Sequence, residues 1–275
     1  MHVTRRTTGP VALAYDIAGS GPLVVFLHGI GGNRSNWQGQ VAYFAARFCA
    51  VAWDARGYGA SDDPPQTLKF SDYADDLMRL LDHLRAERAH LVGLSMGGMI
   101  LQDFYGRYAN RVATMALVDT SVGFGSVSAE VRGDFLARRL DPLERGLTLA
   151  DIAPGVVEVL VAKSATAAAR QRMRASIEAL HVAAYKQALH AIITTDFRAV
   201  LPHINVPTLV IVGDEDVVTP PADSEFLTRN ISGAKLVSIP GAGHLTNIET
   251  PEAFNAALEA FLNLYASRAS VVSAG

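Results

Sequence analysis

Gly93-Leu94-Ser95-Met96-Gly97-Gly98 constrains the fold of this chain more than any other stretch. An apolar run from Ala89 to Val92 leads into it, and a helix-like segment from Met99 to Tyr108 leads out. Strand, abrupt turn and immediate helix leave the serine at the apex in a strained backbone conformation. Glycines two before and two after it remove side chains that would strike the neighbouring strand and helix. A serine displayed in this way is a candidate nucleophile. The plainer alternative is an ordinary glycine-rich turn.

Three further segments share the layout. Leu23-Val24-Val25-Phe26-Leu27 is wholly apolar and reads as a buried strand. His28-Gly29-Ile30-Gly31-Gly32 follows it, a turn able to aim a backbone N–H into a cleft. Thr208 to Val212 reads as another buried strand and runs into Gly213-Asp214-Glu215-Asp216. Leu236 to Ile239 leads to Pro240-Gly241-Ala242-Gly243-His244. Each candidate group thus lies just past the carboxyl end of a predicted strand, the edge of an open parallel sheet where sites form.

A serine hydroxyl needs a base within hydrogen-bond reach. Of the eight histidines, His244 stands out by its glycine-flanked position after a strand, and imidazole can accept and return a proton near neutrality. His28 suits a role in holding its own loop. The backbone N–H groups of Met96 and Ile30 are the candidate oxyanion donors. Trp37 is a candidate wall of the substrate pocket, and Arg34 a candidate partner for a substrate carboxylate; both also suit surface packing. Asp214, Glu215 and Asp216 are adjacent carboxylates, and Asp119 ends another predicted strand.

Short apolar runs alternate with amphipathic segments from Val11 to Asp119. Cys49 to Trp53 and Ala113 to Val118 read as buried strands. Phe70, Tyr73, Ala74, Leu77, Leu81 and Leu84 share one helical face, with Asp72, Asp75, Asp76 and Arg79 opposite. This rhythm implies a parallel sheet with helices on both faces. It breaks after Asp119: residues 122–198 carry no strand run, only short helical stretches broken by Gly123, Gly125, Gly133, Pro142, Gly146, Pro154 and Gly155. Met173, Ile177, Leu180 and Ala184 form one apolar face there. Alternation then resumes, Pro251 opens a closing helix, and Ser267 to Gly275 reads as a frayed tail.

Over roughly residues 10 to 265 the chain resembles the α/β-hydrolase fold superfamily. The blocks that carry the likeness are His28-Gly29, Asp54-Ala55-Arg56-Gly57-Tyr58-Gly59-Ala60-Ser61, Gly93 to Gly98, Gly213 to Asp216 and Gly241-Ala242-Gly243-His244. The order serine, acid, histidine is that of the superfamily. Gly93 to Ile100 and Asp214 to Pro221 most resemble the 3-oxoadipate enol-lactonase-like group. The resemblance implies an α/β-hydrolase core of residues 1–121 and 199–275 and a helical cap of residues 122–198. It places the acid at Asp216, three after the glycine, in preference to Asp119. It implies a Ser95-Asp216-His244 hydrolase acting on a small-molecule ester or lactone through an acyl-enzyme, with no cofactor and no metal. A C–C bond hydrolase of ring-cleavage products, a cofactor-free oxygenase or lyase, and a binding protein that has kept the triad are the rival expectations.

Composition bounds the rest. A net charge of −3 favours neither nucleic acid nor an anionic membrane. A single cysteine, Cys49, in an apolar run suits a small buried hydrophobe. No window approaches the ~18 apolar residues of a membrane span, and no apolar stretch follows the N-terminal arginines as in a signal peptide. A cytoplasmic enzyme is the expectation; oligomeric state is left open.

Overall fold

The computed structural model describes residues 2–275. A nine-stranded sheet forms its centre: β1 (Val3–Arg6), β2 (Ala14–Ala18), β3 (Ser20–Leu27), β4 (Cys49–Trp53), β5 (Ala89–Leu94), β6 (Val112–Val118), β7 (Thr208–Gly213), β8 (Lys235–Ile239) and β9 (Val271–Ser273). Spatial order is β1-β2-β4-β3-β5-β6-β7-β8. From β4 to β8 every neighbouring pair is parallel, while β1 and β2 join antiparallel at one edge. The order reverses around β3, so the loops after β3 and β5 open side by side at the carboxyl edge, where such sheets place their sites.

The helices are α1 (Gln38–Phe44), α2 (Ser71–His83), α3 (Met96–Tyr108), α4 (Ala129–Glu144), α5 (Leu149–Leu160), α6 (Ala167–Glu178), α7 (Val182–Ile192), α8 (Pro221–Asn230), α9 (Thr246–Glu249) and α10 (Pro251–Tyr265). Helix α1 packs with α10, and α2 with α3, around a sheet whose strands β4, β5, β6 and β7 are buried from end to end. Strands buried on both sides lack polar alternation, and β5 and β6 read in that way. Phe26, Trp37 and Phe254 stack in the core below the site, with ring centroids 5.0 and 5.8 Å apart.

Helices α4 to α7 fill the interval between β6 and β7. A single antiparallel bridge, Gly123 to Asp196, pins the two ends of that interval together. Ser128, Thr148 and Thr166 each cap the helix they precede, accepting from a backbone N–H three residues on.

Four sequence expectations are corrected. The tail is not frayed, because β9 pairs antiparallel with the first residues of β3. Asp76 is fully buried and not on the polar face of α2, since Arg56 and Arg79 both bind its carboxylate. Pro142 and Pro154 lie inside α4 and α5 and not between helices. Finally, Met173 and Ile177 belong to α6, but Leu180 falls after its end and Ala184 lies in α7. The apolar face is therefore shared by two helices.

Candidate active site

Strand β5 ends at Leu94 and α3 begins at Met96, so the whole turn is Ser95 itself, at φ 54° and ψ −117°. A positive φ in a residue with a side chain costs about 1–3 kcal/mol and persists only where its surroundings dictate it. Those surroundings hold its own backbone: Ser95 N–H donates to the Val118 carbonyl at 2.9 Å, and the Thr120 hydroxyl donates to the Ser95 carbonyl at 2.7 Å. A Cβ at Gly93 would overlap the Gly97 carbonyl, and one at Gly97 would overlap that of Leu27. The glycines are therefore demanded by the crossing of β3, β5 and α3.

His244 follows β8 in a turn that several groups hold. Its N–H donates to the Leu160 carbonyl at 2.8 Å, at the end of α5. The Glu249 carboxylate accepts from the N–H groups of Gly243, Leu245 and Ala162 at 2.7–3.2 Å. The ring Nδ1 donates to Asp216 Oδ2 at 2.8 Å. Asp216 is held in turn: its Oδ1 accepts from the Val218 and Thr219 N–H groups at 2.8 and 3.0 Å, and its Oδ2 from the Thr219 hydroxyl at 2.9 Å. Burial alone would lower the His244 pKa, but the charge and hydrogen bond of Asp216, backed by Asp119 and Glu249, hold it above its ordinary value. Burial opposes the charge of Asp216, yet His244 and the Thr219 and Val218 N–H groups keep that carboxyl below the usual range.

Asp119 lies near this pair but is engaged otherwise. Its Oδ1 accepts from the Gly213 N–H at 3.0 Å, and its Oδ2 from the Thr246 N–H and hydroxyl at 3.1 and 2.7 Å. It thus ties the ends of β6 and β7 to the segment after His244. Burial and the charge of Asp216 push it up to about 7, against the pull of His244 and Thr246. Asp214 is exposed and accepts from the Gly241 N–H at 2.7 Å; Glu215 is exposed.

Ser95, His244, Ile30 and Trp37 line one cavity of about 20 Å3, roughly room for a water molecule. Ser95 and His244 line it together without a mutual hydrogen bond; such bonds often tighten only with substrate bound. Among the described residues, neither the Ile30 nor the Met96 N–H finds an acceptor. Met96 opens α3, whose N-terminus favours negative charge. Trp37 is fully buried on the cavity wall. Arg34 does not face the cavity as a free cation: it pairs with Asp16 and Asp54. His28 accepts from the Ala55 N–H at Nε2 (3.1 Å) and bonds the Gly29 carbonyl from Nδ1 (2.9 Å), fixing the loop that carries Ile30. Burial pushes the Cys49 thiol up to about 11, which leaves it protonated and inert.

Several site residues gave no sequence signal. Thr219 bonds the Asp216–His244 pair only because the turn after Asp216 folds back. Its trace is the Asp followed two and three residues later by N–H donors, a common side-chain turn. Glu249, five residues beyond His244, follows a comparable logic. Asn36 and Asn247 reach the cavity from segments far apart in the chain.

Residues 22–251 match the family model described as alpha/beta hydrolase fold. The chain belongs to the α/β-hydrolase fold family. It is 30% identical over 263 residues to the 3-oxoadipate enol-lactonase 2 of Acinetobacter baylyi, covering 94% of this chain and 96% of that protein. The crystal structure of the enol-lactonase from Burkholderia xenovorans superposes with a TM-score of 0.83 at 28% identity, over 94% of this chain and 100% of that one. A thermophilic esterase from Thermogutta terrifontis superposes with a TM-score of 0.81 at 29% identity, over 96% and 99%. This α/β hydrolase is thus related to enol-lactonases and esterases. No helix among the described residues is long and apolar enough to cross a membrane.

Proposed function

We propose that the protein hydrolyses small-molecule carboxylic esters or lactones through an acyl-enzyme formed on Ser95. It is an enzyme of the carboxylic ester hydrolase and lactonase type. The observation that carries the mechanism is the arrangement of Ser95 and the Asp216–His244 pair about one cavity, beside two N–H groups that lack acceptors.

Asp216 accepts the Nδ1–H hydrogen bond of His244 and keeps the proton on that nitrogen, so the lone pair of the neutral ring lies on Nε2, the tautomer a general base requires. Ser95 Oγ attacks the acyl carbon as its proton passes to Nε2. Negative charge then develops on the carbonyl oxygen, where the Ile30 and Met96 N–H groups bind it; each such donor is worth ~3 kcal/mol in comparable sites. Collapse expels the alcohol or enol oxygen, which takes the proton from His244. In a lactone that oxygen stays tethered to the acyl group. Water then cleaves the acyl-enzyme by the reverse sequence.

Residues 122–198 act as a lid on a core of residues 1–121 and 199–275. Met173 and Ile177 of α6 lie over the oxyanion turn, within 3.6 and 3.9 Å of where a Cβ on Gly31 would stand. In this reading the α6 side gives way when substrate enters, since the cavity beneath holds about 20 Å3. Kinship with enol-lactonases and an esterase supports the ester or lactone substrate class. A panel of p-nitrophenyl esters and small lactones tests the proposal. Hydrolysis by the wild type, abolished in Ser95→Ala with an unchanged thermal melt, is expected; near wild-type turnover in Ser95→Ala overturns it.

A further inference from the structure

Asn247 lies on α9, three residues past His244, and is 2% exposed on the wall of the Ser95 cavity. Its amide nitrogen donates to the Asn36 carbonyl at 3.1 Å and faces Gln40 Oε1 at 3.5 Å. Both neighbours are acceptors, which fixes the orientation of the amide. Gln40 is itself fixed, because its nitrogen donates to the Asn247 carbonyl and to Asn255 Oδ1 at 3.0 and 3.1 Å. The Asn247 oxygen is therefore the end left over, and no donor among the described residues reaches it. Buried side-chain oxygens without a partner are few in folded proteins and call for an explanation. Asn36, the other amide on this wall, offers no such end: it accepts from the Asn33 N–H at 2.8 Å and donates to the Ser176 hydroxyl at 2.9 Å.

Asn247 and His244 line the same cavity, and that shared lining points to what the oxygen receives. Besides His244, Asn247 and the already engaged Asn36, the lining here includes the apolar Leu160, Leu245 and Ile248. A water attacking the acyl-enzyme approaches from the histidine side, where the leaving group has departed. It carries two O–H bonds and gives one to His244 Nε2. The second needs an acceptor, and Asn247 Oδ1 is a side-chain oxygen of this lining left without a donor.

We propose that Asn247 Oδ1 accepts the second O–H of the hydrolytic water and so aligns it for deacylation, an inference that rests on the acyl-enzyme reading above. The water oxygen bonds to the acyl carbon while one of its protons passes to His244 Nε2. Its other proton stays on oxygen, hydrogen-bonded to Asn247. The Ser95 Oγ–carbon bond then breaks, Oγ takes the proton from His244, and the carboxylic acid is released. An alcohol has one O–H, which goes to His244, so it does not need Asn247.

Stopped-flow release of p-nitrophenol from p-nitrophenyl acetate, with and without methanol, tests this in the wild type, Asn247→Ala and Asn247→Asp. Asn247→Ala is expected to acylate at the wild-type rate and deacylate about tenfold to a hundredfold more slowly, the effect of one lost hydrogen bond. Its burst then approaches one equivalent, and its ratio of methyl ester to acid rises. Asn247→Asp keeps an acceptor and is expected to restore deacylation even where its melting temperature falls, since stability follows the amide nitrogen. Equal slowing of both steps in Asn247→Ala at an unchanged methanol-to-water ratio assigns the residue to scaffolding and overturns the proposal. So does a defect confined to acylation by esters whose leaving group carries an O–H or N–H. Hydrolysis by the wild type without any acyl-Ser95 removes the underlying reading itself.

Discussion

Replacing Asp216 and Asp119 separately by asparagine separates two buried carboxylates that lie close to the same histidine. At Asp216, Oδ1 accepts two backbone N–H groups, whereas Oδ2 faces the Thr219 hydroxyl and His244 Nδ1. Asparagine satisfies this site in one orientation: its oxygen takes the two N–H groups and its nitrogen takes the Oδ2 position. The Thr219 hydroxyl can turn to accept. His244 must then also accept at Nδ1, which places its proton on Nε2 and removes the base facing Ser95. The loss in a comparable triad is ~10⁴ in turnover, with little cost in stability. At Asp119 both oxygens meet backbone donors, Gly213 N–H on one and Thr246 N–H on the other. No orientation of an asparagine avoids a donor facing a donor, a buried mismatch of about 1–3 kcal/mol. The His244 tautomer, however, is untouched. Turnover of a p-nitrophenyl ester measured beside thermal melts should therefore show Asp216→Asn nearly inactive at a near-normal melt. Asp119→Asn should be less stable and lose far less activity. A four-decade loss in Asp119→Asn at normal stability, with Asp216→Asn active, would refute the reasoning and move the acid to the end of β6.

His244 must be neutral to accept the Ser95 proton, and its pKa is held above its ordinary 6.5. The acid limb of kcat/KM is therefore expected above pH 6.5, and it should move to lower pH in Glu249→Gln, which removes one of the charges that raise it; a pH–rate profile reads both. Met173→Ala removes a buried side chain at the cavity wall and is expected to favour longer acyl chains over acetate. A uniform fall across an ester panel that tracks the melting temperature would assign Met173 to packing alone. Gly97→Ala places a methyl against the Leu27 carbonyl; overpacking of this kind costs about 1–3 kcal/mol, and activity should fall together with the melt.

Much of this architecture is legible in the residues, for physical reasons that differ from element to element. Strands β4 to β7 and the second half of β3 show as largely apolar runs because both of their faces are covered. The juxtaposition of Ser95, Asp216 and His244 follows once each is placed at a strand end, since a parallel sheet gathers those ends along one edge. What stays hidden depends on partners distant in sequence. Asp76 reads as a surface acid because Arg56, 20 residues earlier, is brought to it only by the loop after β4. Arg34 reads as an available cation until β2 and β4 deliver Asp16 and Asp54. Val271 to Ser273 lacks the length of a strand and becomes one only beside the free edge at the start of β3. Pro142 and Pro154 each forgo one helix hydrogen bond in segments that packing keeps helical. Thr219, Glu249 and Asn247 act through hydrogen bonds whose geometry local sequence does not encode.

The central claim, a covalent acyl intermediate on Ser95, is tested most directly by mass spectrometry of the intact protein quenched during turnover of p-nitrophenyl acetate, followed by peptide mapping. The account predicts a single acetyl adduct on the peptide carrying Ser95, absent from Ser95→Ala and accumulating in Asn247→Ala. Turnover with no adduct on that peptide, or an adduct that persists in Ser95→Ala, would contradict it.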